Sequence, residues 1–235
     1  ADLCTIEEAI DFLDEVPEKH PFLATSCCPA WSVMAKKLFP EYADCISMAR
    51  TPMVLTARLQ KYKDPDCRVC FIGPCAAKKL EASRRSIRSD VDFVLTFEEL
   101  QGMFEAKGVR FEDIPKEEEV PLTEATGAGR GFAVTGGVAK AVVDAIGRME
   151  PEREVNVVSA EGLDNCRKML QLAKAGKYNG YLLEGMACPG GCVAGAGTIQ
   201  PIAKTAAAIN RYKQTADSQN AMDSKYEMAL PDLDE

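Results

Sequence analysis

Histidine is almost missing from this chain: His20 is the only one in 235 residues. It sits beside Pro21 in a turn-like stretch, which argues against a Ser-His-Asp triad, a His-rich zinc site and a HExxH protease. Long apolar runs are missing too. No window approaches eighteen uninterrupted apolar residues, and no transmembrane helix is expected. Positive charge is in deficit, with 28 Lys and Arg against 36 Asp and Glu, a net charge of -8. That balance argues against nucleic acid or an anionic membrane as partner. No signal peptide with a basic start and an apolar core is visible, and there is no internal repeat or low-complexity tract.

What remains is an ordinary globular composition, 46% hydrophobic and 27% charged, enough for one large domain or two small ones with a real core. The ten cysteines are too few and too unevenly spaced for a secreted disulfide framework. They point to a reducing compartment, the cytoplasm, with several thiolates on metal. Soft thiolates without imidazole favour iron–sulfur, zinc or copper(I). The chain starts at Ala1 without methionine, and Asp2-Leu3 runs straight into a helical pattern. An excerpt of a longer protein or a processed chain is therefore expected.

Ile6, Ala9, Ile10 and Leu13 recur at helical spacing, predicting an amphipathic helix over 5–15 that Pro17 stops. Residues 21–31 read as a loop entering a short helix near 32–38, and 53–62 read as helical. Arg68–Ile72 and Asp92–Leu95 are short apolar runs that fit buried strands. Thr96 should cap a helix through Ala106, with Gly108 just past its end. The acidic stretch 111–125, with Pro115 and Pro121, reads as a surface excursion. A glycine-rich segment, 126–137, enters a helix near 138–146. Glu154–Ser159 reads as a strand, Asp164–Ala175 as a helix closed by Gly176, Gly180–Leu183 as a strand, and 201–212 as a helix. The last twenty residues are polar and should trace the surface. Strands alternating with helices give an α/β architecture with mainly parallel sheet.

Three cysteine segments lie in loops next to Pro or Gly. They are Thr25-Ser26-Cys27-Cys28-Pro29-Ala30-Trp31, then Gly73-Pro74-Cys75-Ala76-Ala77-Lys78-Lys79-Leu80-Glu81, then Glu184-Gly185-Met186-Ala187-Cys188-Pro189-Gly190-Gly191-Cys192-Val193-Ala194-Gly195-Ala196-Gly197. The second and third follow predicted strands directly, at the carboxyl ends where α/β sheets bind ligands. Iron–sulfur clusters need four thiolates and backbone amides that reach the sulfurs, which tight Gly/Pro loops supply. Zinc could also use four thiolates, but structural zinc usually arrives on two CxxC knuckles, and only Cys67–Cys70 has that spacing.

These segments resemble the signature motifs of the FeFe-hydrogenases: TSCCPxW, PCxxKxxE and ExMxCxxGCxxGxG are all satisfied, in order. Residues 126–137 resemble the family's glycine-rich segment, and Asp2-Leu3 with Glu7-Glu8-Ala9 its helix upstream of the first motif. The resemblance implies two lobes of mainly parallel sheet flanked by helices, with the cluster in the cleft between them. It also implies one catalytic domain over 1–235 that is N-terminally incomplete and lacks the accessory iron–sulfur domains.

Carried over by motif, Cys28, Cys75, Cys188 and Cys192 bind a 4Fe–4S cluster. Cys192 also bridges to a diiron unit carrying CO, cyanide and a bridging dithiolate, the whole forming the H-cluster. Lys78 hydrogen-bonds a cyanide, Met186 and Phe132 pack round the diatomic ligands, and Pro74 lines the pocket. Cys27 is the proton donor, a thiol whose pKa is within reach of neutral conditions. Glu8 and Asp11 share one helix face, and Ser47 follows Cys27 by twenty residues, as the family's relay serine does. The implied relay is Cys27, Glu8, Ser47, Asp11, then solvent. The implied reaction is reversible reduction of protons to dihydrogen. Ferredoxin or accessory iron–sulfur domains deliver the electrons, and hydrogenase maturation proteins assemble the cofactor.

The sequence departs from the family pattern at Gly73, where a methionine often precedes Pro-Cys; this should open space beside the diiron ligands. Asp11 stands where the family usually has glutamate. Cys4, Cys45, Cys67, Cys70 and Cys166 read most simply as small buried residues, with Cys67 and Cys70 otherwise an auxiliary metal or redox pair. A dihydrogen-sensing module is an alternative, although sensor branches often lose the cysteine that Cys27 matches. The related iron–sulfur assembly factors are another; they typically lose the first cysteine pair and residues of the Met186 type.

Overall fold

The computed structural model describes residues 1–115 and 124–233. In chain order the elements are α1 (Asp2–Glu15), β1 (Phe22–Ala24), α2 (Pro29–Leu38), α3 (Pro52–Lys63), β2 (Cys70–Gly73), α4 (Ala77–Ala82), β3 (Phe93–Thr96) and α5 (Phe97–Lys107). Then come α6 (Gly127–Arg130), α7 (Gly137–Met149), β4 (Asn156–Glu161), α8 (Leu163–Lys174), β5 (Tyr181–Met186), α9 (Ile202–Gln214) and α10 (Leu230–Leu233). All strand pairs are parallel. One sheet has the order β1-β5-β4 and the other pairs β2 with β3.

Parallel pairing needs crossover helices, which cover the sheet faces. Alternation along the strands sorts the large sheet's side chains between two packs. Leu23 and Leu182 face α1 and α7, among Ala9, Phe12, Val142 and Ile146. Phe22 and Leu183 face α2 and α8, among Trp31, Phe39, Cys166 and Leu170. The central strand β5 is buried from Leu182 to Met186. Truncating a ring such as Phe12, fully buried, would cost about 3–5 kcal/mol.

The expected helix over 96–108 forms as read. Thr96 and Glu99 make a capping box, with Thr96 N donating to Glu99 Oε2 at 2.8 Å and Glu99 N to Thr96 Oγ1 at 3.2 Å. Gly108 ends the helix at φ 66°.

Four expectations need correction. The stretch 21–31 is not all loop, because Phe22–Ala24 pairs with Tyr181–Leu183; three residues are too few to show a period. The helix after it begins at Pro29, whose ring suits the first helical position. The C-terminal stretch does not merely trace the surface: Ala221, Leu230 and Leu233 are buried against Leu3, Ile6 and Leu55. Cys4, Cys45 and Cys166 are buried, but Cys67 is half-buried and Cys70 exposed, since β2 belongs to a sheet of only two strands. Much of the acidic excursion, residues 116–123, lies outside the described residues.

Candidate metal centre

Cys28, Cys75, Cys188 and Cys192, spread over 165 positions of sequence, line one cavity of about 360 Å³. Each is delivered by the end of an element. Cys28 is the N-cap of α2. Cys75 lies in the turn between β2 and α4, and Cys188 and Cys192 follow β5. The third loop folds back tightly: Gly190 and Gly191 have φ of 93° and 92°, a region that L side chains rarely enter. Glu161, at the end of β4, holds it by accepting from Gly190 N at 2.8 Å.

The three segments are stitched together. Gly197 N donates to Pro74 O at 2.9 Å, and Ala187 N donates to Cys28 Sγ at 3.5 Å. A Cβ at Gly185 would collide with the Trp31 ring, so the first motif's Trp packs directly on the third motif's backbone.

Burial pushes the Cys192 thiol up to about 12, with Cys28, Cys75 and Cys188 adding to the shift and Lys78 opposing it. Cys188 is also raised, by burial and then by Cys28 and Cys75. Thiolates gathered this way oppose one another's charge, and a bound cation reverses that balance. A single zinc would hold its sulfurs at about 2.3 Å. Among the described residues no three His, Cys, Asp or Glu side chains gather closely enough to hold one ion. The thiols ring a cavity instead, a donor set that fits a multi-metal cluster better than a lone ion.

The rest of the wall is apolar, with one cation. Pro74, Phe132 and Met186 line it, as do Lys78 and Cys27. Lys78 is buried, ion-paired through Nζ to Glu81 Oε2 at 2.7 Å, and it donates to Cys27 O at 3.4 Å. Its neighbour Lys79 instead pairs with Glu99 at 2.8 Å. The space at Gly73 is not open: a Cβ there would lie 2.8 Å from the Phe71 ring, and Phe71 lines the cavity.

Glu8, Asp11 and Ser47 lie off this cavity. Glu8 is fully buried. Its Oε1 accepts from Ser26 N at 2.8 Å and lies 3.3 Å from Ser26 Oγ. Burial pushes Glu8 up to about 7, the Ser26 contacts opposing the shift and Asp11 and Glu184 adding to it. Burial also raises the Cys27 thiol well above its ordinary value, with Glu8 the next cause. Ser47 Oγ donates to Asp11 Oδ2 at 2.9 Å, and burial raises Asp11 against that bond. Ser47 and Asp11 are thus hydrogen-bonded, but Glu8 and Ser47 share no hydrogen bond. Ser26 stands between them, its Oγ 2.9 Å from Ala49 O, while Ala49 N donates to Ser47 Oγ at 3.0 Å.

Three residues went unassigned from sequence: Ser26, Glu161 and Glu184. Glu184 is fully buried and caps α7, accepting from Gly136 N at 2.6 Å, Val138 N at 3.0 Å and Ala139 N at 3.4 Å. Ser26 and Glu184 belong to the motifs, and that membership was the available signal. Glu161 carried none.

Residues 1–196 match the model of the iron only hydrogenase large subunit, C-terminal domain. The chain belongs to that family. The NADP-reducing hydrogenase subunit HndD of Solidesulfovibrio fructosivorans is 31% identical over 244 residues, covering 84% of this chain and 41% of that protein. The periplasmic Fe hydrogenase large subunit of Nitratidesulfovibrio vulgaris is 30% identical, covering 86% of this chain and 58% of that protein. This hydrogenase-family chain therefore spans 41–58% of the length of those two relatives. The cytosolic Fe-S cluster assembly factor NAR1 of Kluyveromyces lactis is 39% identical over 90 residues, 38% of this chain and 19% of that protein. In fold, the chain superimposes on a variant of the FeFe-hydrogenase HydA1 from Chlamydomonas reinhardtii with a TM-score of 0.73 at 21% identity, covering 98% of this chain and 77% of that one. The two-lobed α/β architecture with open parallel sheets is the FeFe-hydrogenase fold. No described helix is long and apolar enough to cross a membrane.

Proposed function

We propose that this chain is the H-cluster catalytic domain of an FeFe-hydrogenase, one domain over 1–235, reducing two protons with two electrons to dihydrogen and running in reverse. The carrying observation is that Cys27, Cys28, Cys75, Lys78, Cys188 and Cys192, from three distant segments, line one cavity with an otherwise apolar wall. When bound, the H-cluster would supply an electron-transfer centre and the iron centre at which protons are reduced. Cys28, Cys75, Cys188 and Cys192 would hold the 4Fe–4S part, and Cys192 would also be the thiolate nearest the diiron unit.

Lys78 presents a buried cation to an anionic diatomic ligand. Its Glu81 partner keeps the ammonium extended without adding a second positive charge. Pro74, Phe132 and Met186 exclude water. Cys27 Sγ holds the proton nearest the cavity, and Glu8 restores it, being half-ionised near neutral pH. In the reducing direction the proton enters at Asp11, moves to Ser47 and crosses toward Ser26 and Glu8; in the reverse direction it leaves by the same residues. Electrons come from ferredoxin or accessory iron–sulfur domains. Maturation proteins insert the diiron unit, with its CO, cyanide and dithiolate. Ten free cysteines suit a reducing compartment, and we assign the cytoplasm; the relative named periplasmic shows that the family is not confined there.

The NAR1 match favours a second reading, a non-catalytic assembly factor. Cys27, Cys28 and Met186 on one cavity wall weigh against it. The deciding experiment is infrared spectroscopy of the anaerobic chain after 4Fe–4S reconstitution and loading with a synthetic diiron complex. CO and cyanide bands that shift under dihydrogen are expected. A reconstituted 4Fe–4S cluster with no protein-bound diiron bands, here and in a longer form of the protein, overturns the hydrogenase reading.

A further inference from the structure

A second cavity, of about 470 Å³, opens between α2, α3 and the turn after α4, on the far side of the Lys78–Glu81 pair: Glu81 lines it, whereas Lys78 lines the first cavity. Its walls are polar and basic, including Lys36, Arg50, Arg58 and Arg84 along with several hydroxyl side chains. The nearby carboxylates are already engaged. Glu81 Oε2 is 2.7 Å from Lys78, and Asp90 Oδ2 is 3.2 Å from Arg58.

Two cations are left over. Among the described residues Lys36 Nζ donates to Met48 Sδ at 3.7 Å, a thioether that neutralises nothing. The Arg84 guanidinium has no hydrogen-bond or ion-pair partner among the described residues. Lys36 and Arg84 also repel each other. Burial and then Arg84 hold the Lys36 ammonium below its ordinary range, and Asp44 offsets this more weakly. Like charges facing one chamber, with Asp44 near Lys36 but bonded to neither cation, are a frustrated arrangement that an anion relieves.

The helix α3 supplies a second, independent sign. Thr51 is its N-cap and makes no side-chain capping bond. Thr51 is 7% exposed, and its hydroxyl oxygen is buried without a partner. The twelve-residue helix thus presents the positive end of its dipole to the same chamber, which Thr51 lines while its buried hydroxyl stays uncommitted.

We propose that this chamber binds a phosphate-type oxyanion, either free phosphate or the phosphoryl group of a small metabolite. The Arg84 fork and the Lys36 ammonium bind its oxygens, and the Thr51 end of α3 completes the cradle. A halide could use the charge and accept single hydrogen bonds, but it has no second oxygen to pair with the fork. The chamber is distinct from the cysteine-lined cavity, although Ser26 and Ser47 of the proposed relay line it, and it does not require that centre to be loaded.

The test is titration of the reduced, metal-free chain with inorganic phosphate at constant ionic strength, read by calorimetry and by amide chemical shifts at 32–36, 49–54 and 84–87. Saturable binding localised there is expected, with a rise in melting temperature. Arg84→Ser and Lys36→Met should each weaken it about tenfold or more, and Arg84→Lys should lose less than Arg84→Ser. Both positions are at least partly exposed, so the variants should fold; circular dichroism checks this. Glycerol phosphate binding more tightly than inorganic phosphate identifies a phosphorylated metabolite as the ligand, and the reverse order identifies free phosphate. No saturable binding up to tens of millimolar, or binding that Arg84→Ser and Lys36→Met leave unchanged, overturns the proposal.

Discussion

Glu8 leans on Ser26 with one oxygen and leaves the other stranded. Its Oε1 accepts from the Ser26 amide at 2.8 Å, while Oε2 is buried with no partner among the described residues. A carboxylate so placed is a poor anion, which is why burial outweighs the Ser26 bonds and lifts it to about 7. The Ser26 hydroxyl has one proton to share between Glu8 Oε1 and Ala49 O. When that proton points to Ala49 O, the Ser26 oxygen is free to accept from a protonated Glu8 instead of donating to it.

This relationship has a pH signature. The folded-state value of about 7 lies above the ordinary 4.5, so the native state binds the extra proton between those values. Stability from protonated Glu8 is therefore full below about pH 4.5 and is lost as pH rises through 7. Glu8→Gln removes that slope. Urea unfolding of the metal-free chain at pH 5, 6 and 8 should show wild type losing up to about 3 kcal/mol relative to Glu8→Gln. Parallel curves for the two proteins would contradict the assignment.

Gly73 and Phe71 are predicted to be coupled. Because a Cβ at 73 would lie 2.8 Å from the Phe71 ring, Gly73→Ala should cost about 1–3 kcal/mol through overpacking. In a Phe71→Ala background the clash is gone and most of that cost should vanish. A double-mutant cycle by denaturant unfolding measures the coupling directly. Additive effects would show that the ring does not occupy the space.

Glu184 is predicted to be a structural anchor of the metal centre. Its carboxylate takes three amides at the start of α7 and sits two residues before Met186 on β5. Glu184→Ala strands those amides and should cost about 3 kcal/mol, or about 6–12 °C in melting temperature for a chain of this size. Glu184→Gln keeps one acceptor and should lose roughly half as much. Iron retention after reconstitution should fall in the same order, which a colorimetric iron assay follows.

Local signals were legible wherever a pattern stayed local. The Thr96 cap, the helix with Ile6, Ala9 and Leu13, and the parallel α/β class all follow from spacing. The convergence of the cysteine loops was foreseeable because two of them follow strands. What could not be read depends on partners far away in the chain. Phe22–Ala24 is a strand only because β5 lies beside it, and Glu161 matters only because Gly190 folds back onto it. Leu230 and Leu233 are buried by α1 and α3 rather than by any periodicity of their own. Phe71 filling the place beside Gly73 needs a rotamer, and no sequence pattern specifies one.

Cys27 and Cys28 offer the sharpest separation of roles, since adjacent residues line the same cavity. Cys28 caps α2 and its sulfur accepts the Ala187 amide, while Cys27 packs toward Leu3, Cys4 and Leu55. Consecutive side chains here point to different neighbours, so the two thiols should fail differently. Cys28→Ala should lower the iron content and the 4Fe–4S absorbance of the reconstituted chain. Cys27→Ala should keep both yet slow dihydrogen evolution from reduced viologen by about 10²–10⁴-fold, the usual worth of a positioned proton donor. Cys166→Ala, a deletion at a fully buried thiol outside the ligand set, controls for simple destabilisation and should change neither readout beyond its effect on folding. If Cys27→Ala lost the cluster, or Cys28→Ala kept it, the roles assigned to the pair would be wrong.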